Sequence, residues 1–145
     1  MDRLFKRLTI TTAAVALLGA VACSSSSSSS ASGSDTGGVS ATEKDFSIDL
    51  ATSSAPAGSV TFNISNEGPS AHEFVIIKTD DAPDALPVKD NTVEEDKVDV
   101  VDEAEDIAPS TTATLSGDLE AGSYVIICNI PAHYEQGMHA AFTVS

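Results

Sequence analysis

The chain has 145 residues, room for one ordinary domain and not two. Its 22 Asp and Glu against seven Lys and Arg give a formal net charge of −15, which excludes recruitment of nucleic acid or anionic lipid by charge.

Basic Arg3, Lys6 and Arg7, an apolar run from Leu8 to Ala20 and the small residues Val21 and Ala22 read as an export signal over residues 1–22. The run is too short to span a bilayer comfortably as a permanent helix. Its end, Gly19-Ala20-Val21-Ala22-Cys23, resembles the lipobox of bacterial lipoproteins, where a Cys after small residues is acylated and becomes the new N-terminus. That pattern favours Leu three residues before the Cys, where this chain has Ala20. The resemblance implies lipidation at Cys23 and an exported protein. It would sit at the outer face of the cytoplasmic membrane or in the cell envelope, held to the membrane by lipid alone. The alternative for Cys23 is a free thiol in a tail, a liability in an oxidising compartment.

Seven serines, Ser24 to Ser30, open a Ser/Gly-rich stretch that has nothing to bury, so residues 23–40 read as a tether with a reach of roughly 20–25 Å. The folded domain is then expected over residues 41–145. Removing the signal leaves four Lys against 21 Asp and Glu, a net charge of −17. Only Cys23 and Cys128 are present; they either pair in a disulfide or, with Cys23 acylated, leave Cys128 alone, and a metal is the natural use for a lone exported thiol.

Within the domain the apolar residues alternate with polar ones. Phe46, Ile48 and Leu50 form one such set, and Val60, Phe62 and Ile64 follow the turn-like Ala55-Pro56-Ala57-Gly58. After the turn chemistry of Asn66-Glu67-Gly68-Pro69-Ser70, His72 to Lys78 reads as a more buried strand. Ser123 to Cys128 is apolar on both faces, and Met138, Ala140, Phe142 and Val144 share one side of a last strand. Short strands with Gly and Pro turns predict an all-β antiparallel sandwich. Asp80 to Asp106 breaks the rhythm with twelve acids and two lysines and is expected to be a solvated excursion joining two sheets. Within it, Thr92 and Glu95 have the spacing of a weak helix cap.

Near the C-terminus Cys128, His133 and Met138 follow one another at five-residue intervals, with Pro131 and Gly137 letting the chain turn back. Thiolate, imidazole and thioether are soft donors that suit copper, and a second His would complete a trigonal plane with Met138 as a long axial ligand. His72, at a strand start after a turn, is the candidate; His139, next to Met138 on a strand, should point to the opposite, solvent face. Taken singly, each residue has a bland use: a satisfied polar His72, an inert buried Cys128, a core Met138. Their joint spacing argues for the metal.

The run Gly122-x-Tyr124-x-x-x-Cys128-x4-His133-x4-Met138, with Ala71-His72-Glu73-Phe74 upstream, resembles the cupredoxin, or type 1 blue copper, family. Four residues in each gap are similar to the rusticyanin and sulfocyanin branch, where plastocyanins and azurins have shorter spacings. The resemblance covers residues 41–145. It implies a Greek-key β-sandwich with one type 1 copper ion at one end, held by His72, Cys128, His133 and Met138. Glu73 departs from the pattern, since the family often places Asn or a small polar residue after the first His; a buried carboxylate there would favour Cu(II).

Four protein ligands leave no open position for substrate, and one spare histidine cannot build a second kind of copper site, so a single-electron carrier is expected and not an enzyme. The runner-up is a copper-binding protein for storage or delivery in the cell envelope, against which stand only two methionines, one of them the initiator. A third reading is an interaction module whose copper is incidental. The expected partner is a haem or copper redox protein with a basic docking face, and the chain is expected to be a monomer.

Overall fold

The computed structural model describes residues 38–145. Eleven strands make up most of them: β1 (Val39–Lys44), β2 (Ser47–Leu50), β3 (Ser54–Ala55), β4 (Gly58–Asn66), β5 (His72–Lys78), β6 (Val88–Lys89), β7 (Thr92–Val93), β8 (Asp99–Ile107), β9 (Thr112–Leu119), β10 (Gly122–Ile127) and β11 (His139–Val144). Single 3-10 turns lie at Glu95–Lys97 and Tyr134–Gln136. The first sheet has the order β2-β1-β4-β9 and the second β3-β11-β10-β5-β8, while β6 and β7 pair separately. The chain crosses between these two sheets from β2 to β3, β3 to β4, β4 to β5, β8 to β9 and β9 to β10, giving the Greek-key β-sandwich expected from the sequence.

Period-two alternation puts one face of β4 inward, with Val60, Phe62 and Ile64 buried. Phe62 meets Phe74 of β5 and Phe142 of β11 at ring-centroid distances of 5.3 and 5.2 Å, so three aromatic side chains join the two sheets at the centre of the main core. Strands β5 and β10 are apolar on both faces because a second, smaller core covers the other side of their sheet. There Val75, Ile77, Val125 and Ile127 pack with Leu86, Val93 and Tyr134. The Tyr134 hydroxyl donates to the Pro83 carbonyl at 2.8 Å and accepts the Leu86 N–H at 2.9 Å, which closes that cover.

The structure corrects several expectations. The sandwich is not purely antiparallel: β1 runs parallel to β4, and β3 parallel to β11. Strand β1 begins at Val39, so Val39 and Ser40, read as tether, belong to the first sheet. Phe46 does not share an inward face with Ile48; it lies in the β1–β2 turn and is 38 % exposed. The acidic stretch is not a solvated excursion, because Leu86 and Val93 bury apolar surface within it and Asp99–Ile107 is β8, the edge strand of the second sheet. Thr92 caps no helix; its hydroxyl donates to the Lys89 carbonyl at 3.1 Å, inside the β6–β7 hairpin. The export signal, Cys23 and the tether up to residue 37 lie outside the described residues. Among the described residues no helix is long and apolar enough to cross a membrane.

Candidate metal centre

His72 opens β5 and Cys128 directly follows β10, its antiparallel neighbour, so the two meet at the same end of the sandwich. Asn66 prepares the approach to His72. Its side-chain amide donates to the Ser70 and Ile107 carbonyls at 2.8 Å each, and its Oδ1 accepts the Gly68 N–H at 2.9 Å. These bonds clamp the turn that delivers His72 into a fully buried position.

The loop from Cys128 to Met138 is closed by its own backbone. The Cys128 N–H donates to the Met138 carbonyl at 3.1 Å, extending the β10–β11 ladder by one rung. Inside it, the His133 N–H donates to the Ile130 carbonyl at 2.9 Å and the Met138 N–H to the His133 carbonyl at 3.1 Å. Gly137, at φ 113°, supplies the left-handed residue needed to end the 3-10 turn and lead into Met138. Asn129 ties the loop to β7: its Oδ1 accepts the Val93 N–H at 2.6 Å, and its Nδ2 donates to the Val93 carbonyl at 3.1 Å and to Glu95 Oε1 at 2.6 Å.

Three of the four expected donors come together. Cys128 Sγ lies 3.4 Å from His133 Nδ1 and 3.8 Å from His72 Nδ1, and the two imidazole nitrogens are 3.3 Å apart. Met138 is fully buried and its backbone is bonded to those of Cys128 and His133, and Cys128 has no disulfide partner among the described residues. His139, expected on the solvent face, is partly buried, its ring 5.4 Å from that of Tyr134 and away from the three donors.

The donor set fits a metal ion. Three donors roughly 2.0–2.3 Å from a common centre, the usual bond lengths of a first-row ion to N and S, lie about 3.5–3.7 Å apart in a plane, close to the spacings seen. Two Nδ1 atoms facing each other at 3.3 Å next to a sulfur need a proton or a cation between them. Thiolate with two imidazoles suits copper.

Burial pushes the Cys128 thiol up to about 11, while backbone hydrogen bonds from the Glu73 and Ile130 side pull the other way. The Glu73 N–H donates to Sγ at 3.3 Å and so favours the thiolate once a metal is present. Burial holds His72 below the ordinary histidine range, with Asp45 opposing. The Glu73 carboxyl, half-buried, is held above the usual carboxylate range by burial and then by Glu105, Glu95, Glu103 and Asp106.

The sequence reading missed the turn between β1 and β2. Asp45 Oδ1 lies 3.1 Å from His72 Nε2, and the Phe46 ring meets the His133 ring edge-on at 5.2 Å. It also missed Glu43, fully buried with neither carboxyl oxygen hydrogen-bonded among the described residues. The signal available was phase: Val39, Ala41 and Glu43 are alternate residues of one strand, so Glu43 falls on the inward side.

A two-sheet Greek-key sandwich carrying a buried His-Cys-His group at one end is a protein built around a single metal centre. The family model of the cupredoxin-like domain matches residues 13–144, and the chain belongs to the cupredoxin family. The site is built for one type 1 copper ion, the cofactor of that family. Among solved structures the chain is similar to auracyanin from Roseiflexus castenholzii, with 22 % identity over 73 % of this chain and 94 % of that one and a TM-score of 0.56. It is also similar to rusticyanin from Thiobacillus ferrooxidans (17 % identity, 73 % and 76 % covered, TM-score 0.55). Auracyanin A from Chloroflexus aurantiacus, described as a "blue" copper protein, matches with 17 % identity, 73 % and 96 % covered, and a TM-score of 0.54. No curated protein sequence matches the chain.

Proposed function

We propose that the protein is an extracytoplasmic single-electron carrier and not an enzyme, with His72, Cys128 and His133 as the equatorial copper ligands and Met138 as the axial one. The observation that carries this reading is the mutual approach of His72 Nδ1, Cys128 Sγ and His133 Nδ1, which all lie within 4.8 Å of one another. Copper, when bound, supplies a one-electron Cu(II)/Cu(I) couple. The chain's own part is to hold the donors still. His72 is locked by the Asn66 clamp, Cys128 by the ladder rung to Met138, and His133 by the closed loop. Donors that need not move when the charge changes keep the reorganisation cost low.

A donor set completed by Met138 leaves no open position where a substrate would bind, which favours a carrier over an enzyme. Full burial of His72, Cys128 and Met138 favours it over storage or delivery, which call for a site that releases its metal readily. The signal-like residues 1–22 and the lipobox-like run ending at Cys23 support an extracytoplasmic place for the chain, as does a Cys128 thiol with no disulfide partner among the described residues. The partner in this reading is a haem or copper redox protein with a basic face, met by the monomer. In support, the acidic strand β8 runs from Asp99 to the copper end, where Ile107 pairs with His72.

The test is the spectrum of the copper-loaded protein. An intense thiolate-to-copper band, with narrow copper hyperfine splitting, is expected and should vanish in Cys128→Ser; retention of both in that variant would refute the ligand assignment.

A further inference from the structure

We propose that Asp45 is the positioning residue of the metal centre: its carboxylate accepts a hydrogen bond from the Nε2–H of His72, leaves Nδ1 bare for copper, and lends a negative charge that favours the oxidised ion. The inference deepens the electron-carrier reading and rests on it.

His72 has no exposed side-chain surface, and its Nδ1 faces Cys128 Sγ and His133 Nδ1. A neutral imidazole carries one hydrogen, so a ligating Nδ1 requires that hydrogen on Nε2. Nε2 has no aligned hydrogen-bond partner among the described residues, and Asp45 Oδ1, 3.1 Å away, is in reach to accept it. A buried N–H left unpaired costs about 1–3 kcal/mol.

Two independent features hold Asp45 in place. The Ser70 hydroxyl donates to Asp45 Oδ2 at 2.8 Å, so one carboxylate oxygen is anchored while the other faces the histidine. Gly68 leaves the space the pair occupies: a Cβ there would lie 2.8 Å from Asp45 Oδ1 and 2.9 Å from His72 Nε2, closer than real side chains approach. The glycine is therefore required by crowding at this contact. The Asp45 side chain is 23 % exposed, so its charge is partly screened, yet only the His72 ring separates it from the donor group.

The test uses the full chain with Asp45→Ala and Asp45→Asn. In the metal-free wild type, nitrogen-resolved NMR should show His72 protonated at Nε2. Asp45→Ala should lose that preference, bind Cu(II) 10- to 100-fold more weakly, and show a higher reduction potential. Asp45→Asn keeps an accepting oxygen without the charge. It should restore the tautomer and most of the affinity while the potential stays raised. An Asp45→Ala protein with the wild-type tautomer, affinity and potential would overturn the proposal. The tautomer readout needs no copper. A wild type with an Asp45-dependent tautomer but no thiolate-to-copper band would support the positioning role and refute the blue copper reading alone.

Discussion

Asn129 and Val93 grip each other by two hydrogen bonds, Val93 N–H to Asn129 Oδ1 at 2.6 Å and Asn129 Nδ2 to the Val93 carbonyl at 3.1 Å. The residue next to the metal-binding thiol thus imitates a strand, and the β6–β7 hairpin, remote in sequence, becomes the outer wall of the ligand loop. Asn129→Ala strips both bonds from Val93. Denaturant unfolding should show a loss of about 1–3 kcal/mol, and copper should be extracted faster by a chelator. An unchanged extraction rate would mean that the loop holds its shape without this tether.

Cys128 is a thiol in the metal-free protein at neutral pH, since burial sets it at about 11. Copper binds the thiolate, so loading must expel that proton. At pH 7, calorimetry in buffers of different ionisation enthalpy should find about one proton released per ion, and affinity should rise about tenfold per pH unit below the thiol's range. A proton count near zero would show Cys128 already ionised or absent from the coordination.

Met138→Leu conserves volume in a fully buried position and should cost less than about 1.5 kcal/mol. The variant should keep its copper and shift the reduction potential upward, because a weak axial donor to Cu(II) is gone. Loss of all copper would make Met138 a primary ligand.

Glu43 makes stability depend on pH in an unusual direction. Burial, and then the charge of Glu73, raise it from 4.5 to about 8, so the folded chain holds a proton that the unfolded chain releases near 4.5. Between these values the native state binds more protons, and stability falls as pH rises, by at most about 1.4 kcal/mol per unit, levelling off above about 8. Thermal melts of the metal-free protein from pH 5 to 9 should show the decline, and Glu43→Gln should flatten it. Parallel curves for both proteins would assign the dependence to another group.

The acids of β8 give the partner prediction a direct test. Electron-transfer rates with a basic redox protein should drop steeply as salt rises, since the Debye length shrinks from about 30 Å at 0.01 M to about 8 Å at 0.15 M. Neutralising Asp99, Asp102, Glu103 and Asp106 together should lower the rate and flatten the salt slope. If neither changes, these charges serve solubility and not docking.

The grouping of His72, Cys128 and His133 was legible because soft donors are rare and their spacing in one loop is chemically restrictive. Strand β5 and the β10–β11 hairpin were legible because their apolar residues are continuous or alternate. Strand β1 was not, since Ser40, Ala41 and Thr42 have no strong hydrophobic mark and the strand is held by its pairing with β2 on one side and β4 on the other. Strand β8 hid behind its carboxylates: as an edge strand it buries only Ile107 fully, so its composition matches that of a loop. Asp45 could not be tied to His72 before the β1–β2 turn was placed over the end of β5, because nothing in their 27-residue separation signals contact.

The position of β8 also bears on how many copies can share a small volume. A free sheet edge is a template on which another chain can add a strand, and proteins blunt such edges with charge. Here the edge of the five-stranded sheet carries Asp99, Asp102, Glu103, Glu105 and Asp106. Two copies meeting along it would set like charges opposite one another, so each of the backbone bonds on offer comes with repulsion attached. The same carboxylates that make the strand look like a loop therefore keep crowded molecules from growing into a continuous sheet.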